Sequence, residues 1–101
     1  MTRHCVLFSF AAGVQEDAIA RVATDFLALK KKTGCIASIE WGRNSSPESL
    51  SHGFTHCFFL SFRDDADRDA YLVHPEHAAF SDSIRSLLGD VLVVDYRTAG
   101  E

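Results

Sequence analysis

The segment from Tyr71 to His77 brings together side chains that can donate and accept protons. It holds one phenol and two imidazoles, and Pro75 lies between the imidazoles of His74 and His77. Because proline interrupts helices, His77 is predicted to fall in the first turn of a new helix, where the helix dipole opposes a second proton. An imidazole has an ordinary pKa near ~6.5, so His77 in this position could act as a neutral base. The phenol of Tyr71 could donate a hydrogen bond to a carbonyl oxygen as enolate charge develops there.

Two more histidines lie in segments whose residues alternate as they do in strands. His4 and His56 each share a strand face with apolar residues. The two strands are expected to be neighbours in the sheet, so both rings could lie near His77 and form a polar pocket with it. An alternative stays open for each group. A buried histidine commonly bonds within the core, His77 could bond a backbone carbonyl, and Tyr71 could pack at the helix junction.

The periodicity of the apolar residues predicts seven elements in the order β-α-β-β-α-α-β. Alternation predicts the strands, and apolar residues at steps of three and four predict the helices. Asp64 is expected to cap the second helix, and Gly34 and Gly89 are expected to end the first and the third. The predicted strands cover residues 3–10, 35–43, 54–62 and 91–96, and the predicted helices cover residues 15–32, 65–73 and 76–88.

This order favours an α+β fold, a ferredoxin-like sandwich in which the helices cover one face of an antiparallel sheet. The opposite face would then be bare and apolar, which predicts a homodimer formed through this open sheet face around a two-fold axis. A single domain is expected over residues 1–98, followed by a short tail at 99–101. The residues expected on the open face are Cys5, Leu7, Cys57, Phe59, Leu92, Val94 and Tyr96.

The composition is that of an ordinary globular chain, with 47% apolar and 24% charged residues among 101. The net charge of −4 argues against nucleic acid or an anionic membrane as a partner, since both attract a concentrated basic surface. No apolar stretch is long enough to cross a bilayer, and no secretion signal with a convincing cleavage site is recognised. Cys5, Cys35 and Cys57 have no CxxC spacing, so they are expected to be reduced, buried thiols of a cytoplasmic protein.

Five segments, taken together and in order, resemble the Dabb family of stress-responsive dimeric A/B barrel domains, which includes plant polyketide-cyclase-like members. The resemblance covers nearly the whole chain and implies a ferredoxin-like domain that pairs sheet to sheet with a second copy into a dimeric α/β barrel. Members of the family have different functions, so the resemblance implies the fold rather than one activity. The resembling segments are residues 3–8, 41–48, 53–56, 71–77 and 91–96.

The resemblance also implies site residues. A tyrosine and a histidine that match Tyr71 and His77 are the catalytic pair of cyclase members, and some members bind magnesium at the dimer interface. Phe26 stands where a cyclase of this family has a second pocket tyrosine. Aromatic side chains could line a pocket for a flat aromatic or polyketide substrate, or they could fill it and leave a packed core. The residues concerned are Val6, Phe8, Phe26, Phe58 and Phe80.

Three functions stay open. The first is a cyclase or isomerase acting on a small carbonyl-bearing molecule, with His77 as base, Tyr71 stabilising the enolate, and His4 and His56 orienting the carbonyl. The second is a non-catalytic homodimer that binds a small apolar ligand or acts in stress tolerance. The third is a dimeric-barrel monooxygenase without a cofactor. No Gly-rich phosphate loop is present, and the proline in residues 74–77 disrupts the spacing of a helical metal motif, so no organic cofactor and no metal are expected.

Overall fold

The computed structural model describes residues 1–99 and has the order of elements that the periodicity predicted. Residues 100 and 101, which belong to the predicted tail at 99–101, lie outside the described residues. A 3₁₀ turn, Arg85–Leu87, joins the last helix to the last strand. The strands are β1 (Thr2–Phe10), β2 (Ser38–Arg43), β3 (His56–Phe62) and β4 (Leu88–Arg97), and the helices are α1 (Glu16–Thr33), α2 (Asp65–Leu72) and α3 (Pro75–Ile84).

The four strands form one antiparallel sheet in the order β2-β3-β1-β4, which confirms the ferredoxin-like α+β fold. β1 lies between β3 and β4, so its residues have partners on both sides. His4 pairs with Asp95 of β4, whereas Phe8, four residues further along β1, pairs with His56 of β3. This register decides which polar side chains meet.

Local sequence signals account for the ends of the helices at three places. α1 ends at Gly34, whose φ of 68° is the left-handed conformation that favours glycine. Asp64 caps α2 by accepting a hydrogen bond of 2.9 Å from a backbone N–H of the first turn. His74 caps α3 in the same way, since its Nδ1 accepts from the backbone N–H of Glu76 at 3.1 Å, and Pro75 follows as the first helical residue.

Gly89 does not end α3 as predicted. The helix ends at Ile84, and Gly89 lies inside β4. The register between β1 and β4 shifts between Ser9 and Phe10, and the two strands approach closely there. A Cβ atom on Gly89 would lie 2.9 Å from Ser9 Oγ and 3.3 Å from the carbonyl oxygen of Phe10. Glycine is therefore required by the neighbouring strand, a tertiary cause that a local pattern does not reveal.

β2 and β3 begin later than the alternation of their residues predicted, at Ser38 and His56. The residues before β3 belong to the preceding loop, where the backbone N–H of Phe54 donates to the carbonyl oxygen of Ser51 at 3.0 Å. Before β2, the backbone N–H of Cys35 donates to Thr33 Oγ1 at 3.2 Å, next to the end of α1. β-forming side chains at these positions therefore misled the prediction of the strand starts.

The core lies between the helices and one face of the sheet, and the opposite face is uncovered in the single chain. Leu92, Val94 and Tyr96 of β4 are 44%, 51% and 50% exposed on that open face. Cys5 and Cys57 are free and partly exposed there, so the expectation of buried thiols was wrong for the single chain. Their Sγ atoms are 3.7 Å apart, and partial burial together with the contact with Cys57 raises the pKa of Cys5 to about 11.

Candidate active site

An open cavity of about 550 Å³ lies between the β1–β4 half of the sheet and the helices α2 and α3. That volume exceeds the ~300 Å³ of a small ligand pocket. Most of its wall is apolar and includes Val6, Phe8, Phe26 and Phe80 together with Val91 and Val93 of β4. The polar groups of the wall come from His4, Tyr71, His77, Ser81, Arg85 and Asp95.

His77 lies in the first turn of α3, and one of its two ring nitrogens is engaged by the backbone. Its Nδ1 lies 3.2 Å from the carbonyl oxygen of Leu72, which can only accept, so Nδ1 carries the proton and donates. Nε2 of the neutral ring then carries the lone pair, and its one hydrogen-bond partner within residues 1–99 is the Ser81 hydroxyl, which can donate to it at 3.5 Å. The ring packs on Tyr71, with ring centroids 4.5 Å apart. This nitrogen could accept a proton from a bound molecule.

The surroundings of His77 favour its neutral form. Burial lowers the pKa of His77 below 6.5, the bond to the Leu72 carbonyl raises it, and the nearby His4 lowers it. Burial is the largest of these effects, whereas the sequence interpretation assigned the same direction to the helix dipole. The neutral imidazole of His77 stays a prediction, and burial is its main physical cause.

Tyr71 is fully buried at the end of α2, where its ring meets the rings of His4, Phe62 and His77. Burial raises the pKa of Tyr71 far above its usual value, so the hydroxyl stays protonated and can donate. The part of the chain that the structure describes gives this hydroxyl no hydrogen-bond partner, and Tyr71 lines the cavity. The hydroxyl is therefore a donor that a ligand's carbonyl oxygen could satisfy.

His4 is held in place by a carboxylate on the neighbouring strand. Its Nδ1 lies 2.7 Å from Asp95 Oδ1, and Asp95 Oδ2 accepts from Arg68 at 3.1 Å. A carboxylate accepts only, so His4 donates from Nδ1. The His4 and Tyr71 ring centroids are 6.1 Å apart, which places a second imidazole beside the phenol.

His56 does not belong to this cluster, although the sequence interpretation grouped it with the other histidines. It is not part of the cavity wall and packs against the rings of Phe10 and Trp41, with centroids 5.0 Å and 6.1 Å away. His4 and His56 share the helix-facing side of the sheet, but His56 pairs with Phe8, further along β1. Four residues of strand correspond to about 13 Å, so the two imidazoles lie at different ends of the sheet.

Phe58 is also buried in the core and is not part of the cavity wall. It stacks on Phe26 with centroids 4.5 Å apart and on Trp41 with centroids 5.6 Å apart. Phe8, Phe26 and Phe80 do line the cavity, so these aromatic side chains leave an open space instead of filling it.

The comparison with known families agrees with this fold. The family model described as Stress responsive A/B Barrel Domain, Dabb, matches residues 2–98, a range that includes all four strands and three helices. The chain belongs to the Dabb family.

Two plant proteins are similar to this Dabb chain over nearly its full length. The stress-response A/B barrel domain-containing protein HS1 of Arabidopsis thaliana is 30% identical over 95 residues, which are 94% of this chain and 87% of the relative. Olivetolic acid cyclase of Cannabis sativa is 22% identical over 94 residues, which are 93% of each chain.

Solved structures share the Dabb fold. The crystal structure of At3g17210 from Arabidopsis thaliana superposes with a TM-score of 0.95 at 29% identity, and the match covers 100% of this chain and 98% of that one. A protein of unknown function from Bacteroides fragilis is described as dimeric with a ferredoxin-like fold. It has a TM-score of 0.73 at 27% identity, with 96% of this chain and 95% of that chain covered.

The sequence interpretation of this Dabb chain missed three polar wall residues, Ser81, Arg85 and Asp95. Two signals could have revealed them. Asp95 follows Val94 in the alternation of β4, so it is an acidic residue on the helix-facing side of the sheet. Ser81 and Arg85 follow His77 at steps of four residues, which places all three on one side of a helix.

Neither a metal site nor a membrane span is evident in the described part of the Dabb chain. Within residues 1–99, no group of three or more histidine, cysteine, aspartate or glutamate side chains could hold a metal ion. The magnesium that the family resemblance implies at a dimer interface therefore finds no such group among the described residues of one chain. No described helix is both long and apolar enough to cross a bilayer.

Proposed function

We propose that this Dabb protein is a cofactor-independent cyclase or isomerase that acts on a small carbonyl-bearing molecule. The observation that carries the proposal is the state of His77. Its Nδ1 donates to the Leu72 carbonyl, which leaves the Nε2 lone pair to act as a base, and the residue lines an open cavity next to Tyr71. A base and an unpaired hydrogen-bond donor thus occupy the same wall.

In the proposed reaction, His77 Nε2 takes a proton from the carbon next to a carbonyl group. The electron pair of that C–H bond forms an enolate, and the Tyr71 hydroxyl donates a hydrogen bond to the enolate oxygen. In a cyclisation, the enolate carbon attacks a second carbonyl carbon of the same molecule and forms a C–C bond. The His77 imidazolium then returns its proton to the new alkoxide. In an isomerisation, the proton returns to a different carbon.

His4 would position the reacting carbonyl group. Asp95 accepts a hydrogen bond of 2.7 Å from its Nδ1, and Arg68 holds Asp95 in turn at 3.1 Å, so the imidazole has little freedom to turn. Its distance from Tyr71 suits a molecule with two neighbouring carbonyl groups, one bound to each side chain. The name of the relative olivetolic acid cyclase supports a cyclisation.

Two variants separate catalysis from packing. His77→Gln keeps an N–H that can bond the Leu72 carbonyl but cannot take up a proton near neutral pH, and Tyr71→Phe removes only the hydroxyl. The assay uses a panel of linear triketones and follows cyclisation by absorbance and mass spectrometry. We expect His77→Gln to lower kcat by about 10²–10⁴-fold and Tyr71→Phe by about 10²-fold. Because burial lowers the pKa of His77, kcat/KM should fall only when the pH drops below about 6.5.

His74→Asn is the matched control, because it changes a neighbouring histidine and keeps a residue that caps α3. Its activity should equal that of the wild type. Unchanged kcat in His77→Gln would contradict the mechanism. A ligand that raises the melting temperature without any turnover would favour the non-catalytic binding role instead, and oxygen uptake with quinol substrates would favour a monooxygenase.

We further propose that the protein is a homodimer whose interface is the open sheet face. The Bacteroides fragilis protein with the same fold is described as dimeric. On this chain, the exposed apolar side chains of β4 lie next to the partly exposed Cys5, Leu7 and Phe59. A contiguous apolar surface of this kind is typical of a protein–protein interface.

A further inference from the structure

Three polar residues of the cavity wall follow one another along α3 and the turn after it. His77, Ser81 and Arg85 are spaced by four residues and all line the cavity. The backbone of Arg85 continues the helix, with φ −53° and ψ −43°, so the three side chains share one side of it. Eight residues at ~1.5 Å each place His77 and Arg85 about 12 Å apart along the cavity.

On the sheet side of the cavity, the polar side chains lie at one end only. They are His4 and Asp95, and the Asp95 carboxylate accepts hydrogen bonds from His4 and Arg68. At the other end the wall is apolar, where Val91 pairs with Phe8. The 3₁₀ turn that begins with Arg85 lies at this apolar end, because the carbonyl oxygen of Leu87 accepts from the backbone N–H just after β1 at 2.8 Å.

Arg85 has the only lysine or arginine side chain in the wall formed by residues 1–99. It is 76% exposed, and its ion-pair partner is Asp82, itself 72% exposed, at 2.8 Å. An ion pair between two exposed side chains on one helix contributes little free energy. The guanidinium can therefore exchange Asp82 for another acceptor at small cost.

We propose that the ligand of this cavity is an elongated molecule that ends in a carboxylate, which binds Arg85. Its carbonyl group lies at Tyr71 and His77, and its apolar middle lies against the phenylalanines. A single guanidinium matches a singly charged carboxylate, which it can bind with two parallel hydrogen bonds. The inference rests on the proposed function only in using the same cavity and the same position for the carbonyl group.

Two probes that differ in one charge test the inference. Monomethyl sebacate has an ester carbonyl at one end and a carboxylate at the other, and dimethyl sebacate lacks the carboxylate. Isothermal titration calorimetry measures their Kd without any turnover, so a failure of the proposed reaction and a failure of this inference are read separately. The wild type should bind the monoester about three- to fivefold more tightly than the diester, the size of an exposed ion pair.

Variants at the far end of the cavity should change only the binding of the charged probe. Arg85→Gln should abolish the tighter binding of the monoester and leave the Kd of the diester unchanged. Arg85→Lys keeps a positive charge and should retain most of the difference between the two Kd values. Asp82→Asn removes the competing carboxylate and should strengthen binding of the monoester. Circular dichroism melts check that each variant is folded.

Several outcomes would overturn the inference. These are no binding of either probe, equal Kd values for the two probes in the wild type, or a preference that survives in Arg85→Gln. A preference lost in His77→Gln and kept in Arg85→Gln would place the carboxylate at the histidines and overturn it as well.

Discussion

His56 has a buried ring nitrogen without a hydrogen-bond partner in residues 1–99. Its Nδ1 lies 2.7 Å from Thr55 Oγ1, and its Nε2 is the unpaired atom. Burial lowers the pKa of His56, Arg43 lowers it further, and Glu16 opposes the shift. The folded state therefore favours the neutral form of the His56 imidazole over its protonated form.

We expect His56 to make the protein sensitive to acid. A histidine whose pKa is lower in the folded state contributes full stability above its unfolded pKa of about 6.5, and the stability decreases as the pH falls below that value. His56→Phe keeps a flat ring between Phe10 and Trp41 and does not titrate. Its melting temperature should therefore fall less than that of the wild type between about pH 7.5 and pH 5. Thermal melts over this range measure the difference.

His52→Asn is the control for this experiment. His52 is exposed in a loop with a φ of 54°, a conformation that asparagine tolerates, so its melts should follow the wild type. His56→Phe should retain some acid sensitivity, because the pKa of His77 is lowered as well. Equal acid-induced losses in His56→Phe and the wild type would show that His56 does not titrate as expected.

Individual residues also show how far the sequence predicts the site. Alternation correctly placed His4 and His56 on the buried side of their strands, and both are 5% exposed. Alternation contains no information about register, so it could not show that only His4 reaches the cavity. Asp95 was missed for the same reason, because its partners Arg68 and His4 are 27 and 91 residues away in the chain. The catalytic roles of Tyr71 and His77 stay predictions.

At the scale of elements, the contact between β1 and β4 depends on Gly89. A Cβ atom there would lie 2.9 Å from Ser9 Oγ and 3.3 Å from the Phe10 carbonyl oxygen. Because this carbonyl oxygen belongs to the backbone, it cannot move aside by a side-chain rotation. We expect Gly89→Ala to lower the free energy of unfolding by about 1–3 kcal/mol, the usual effect of overpacking. Urea denaturation followed by circular dichroism measures this loss.

Gly42→Ala serves as the matched control, because nothing lies within 4 Å of a Cβ atom at that strand position. It should leave the free energy of unfolding nearly unchanged. Adding Ser9→Ala to Gly89→Ala removes the closer of the two contacts and should restore part of the loss. Equal stabilities of Gly89→Ala and Gly42→Ala would mean that the strands separate without cost.

Elements whose limits have local causes were predicted well. The apolar stripe of α1, the glycine after it and the caps of α2 depend on residues within a few positions of one another. The junction between α3 and β4 depends on β1, which lies far away in the sequence. The prediction therefore ended α3 too late and began β4 too late, at residues 88 and 91, whereas the structure has Ile84 and Leu88.

At the scale of the whole molecule, β4 is an edge strand with apolar side chains exposed on both faces. Val93 is 49% exposed on the helix-facing side, and Leu92 and Val94 are 44% and 51% exposed on the open side. An uncovered apolar edge strand promotes association with other chains. A homodimer through the open face would cover the most contiguous part of this surface and leave the cavity on the other face of the sheet.

Val94→Glu tests that arrangement. Val94 pairs with Cys5 of the central strand β1, so a carboxylate there would lie within the proposed interface without an opposite charge. Burying an unpaired charge costs several kcal/mol, so the dimer Kd should rise by about a hundredfold or more, as measured by analytical ultracentrifugation. Val73→Glu, at a position 82% exposed between α2 and α3, should leave the dimer intact.

If Val94→Glu stays dimeric, the copies meet elsewhere. If it is a folded monomer with an intact cavity, the dimer is not required to form the site.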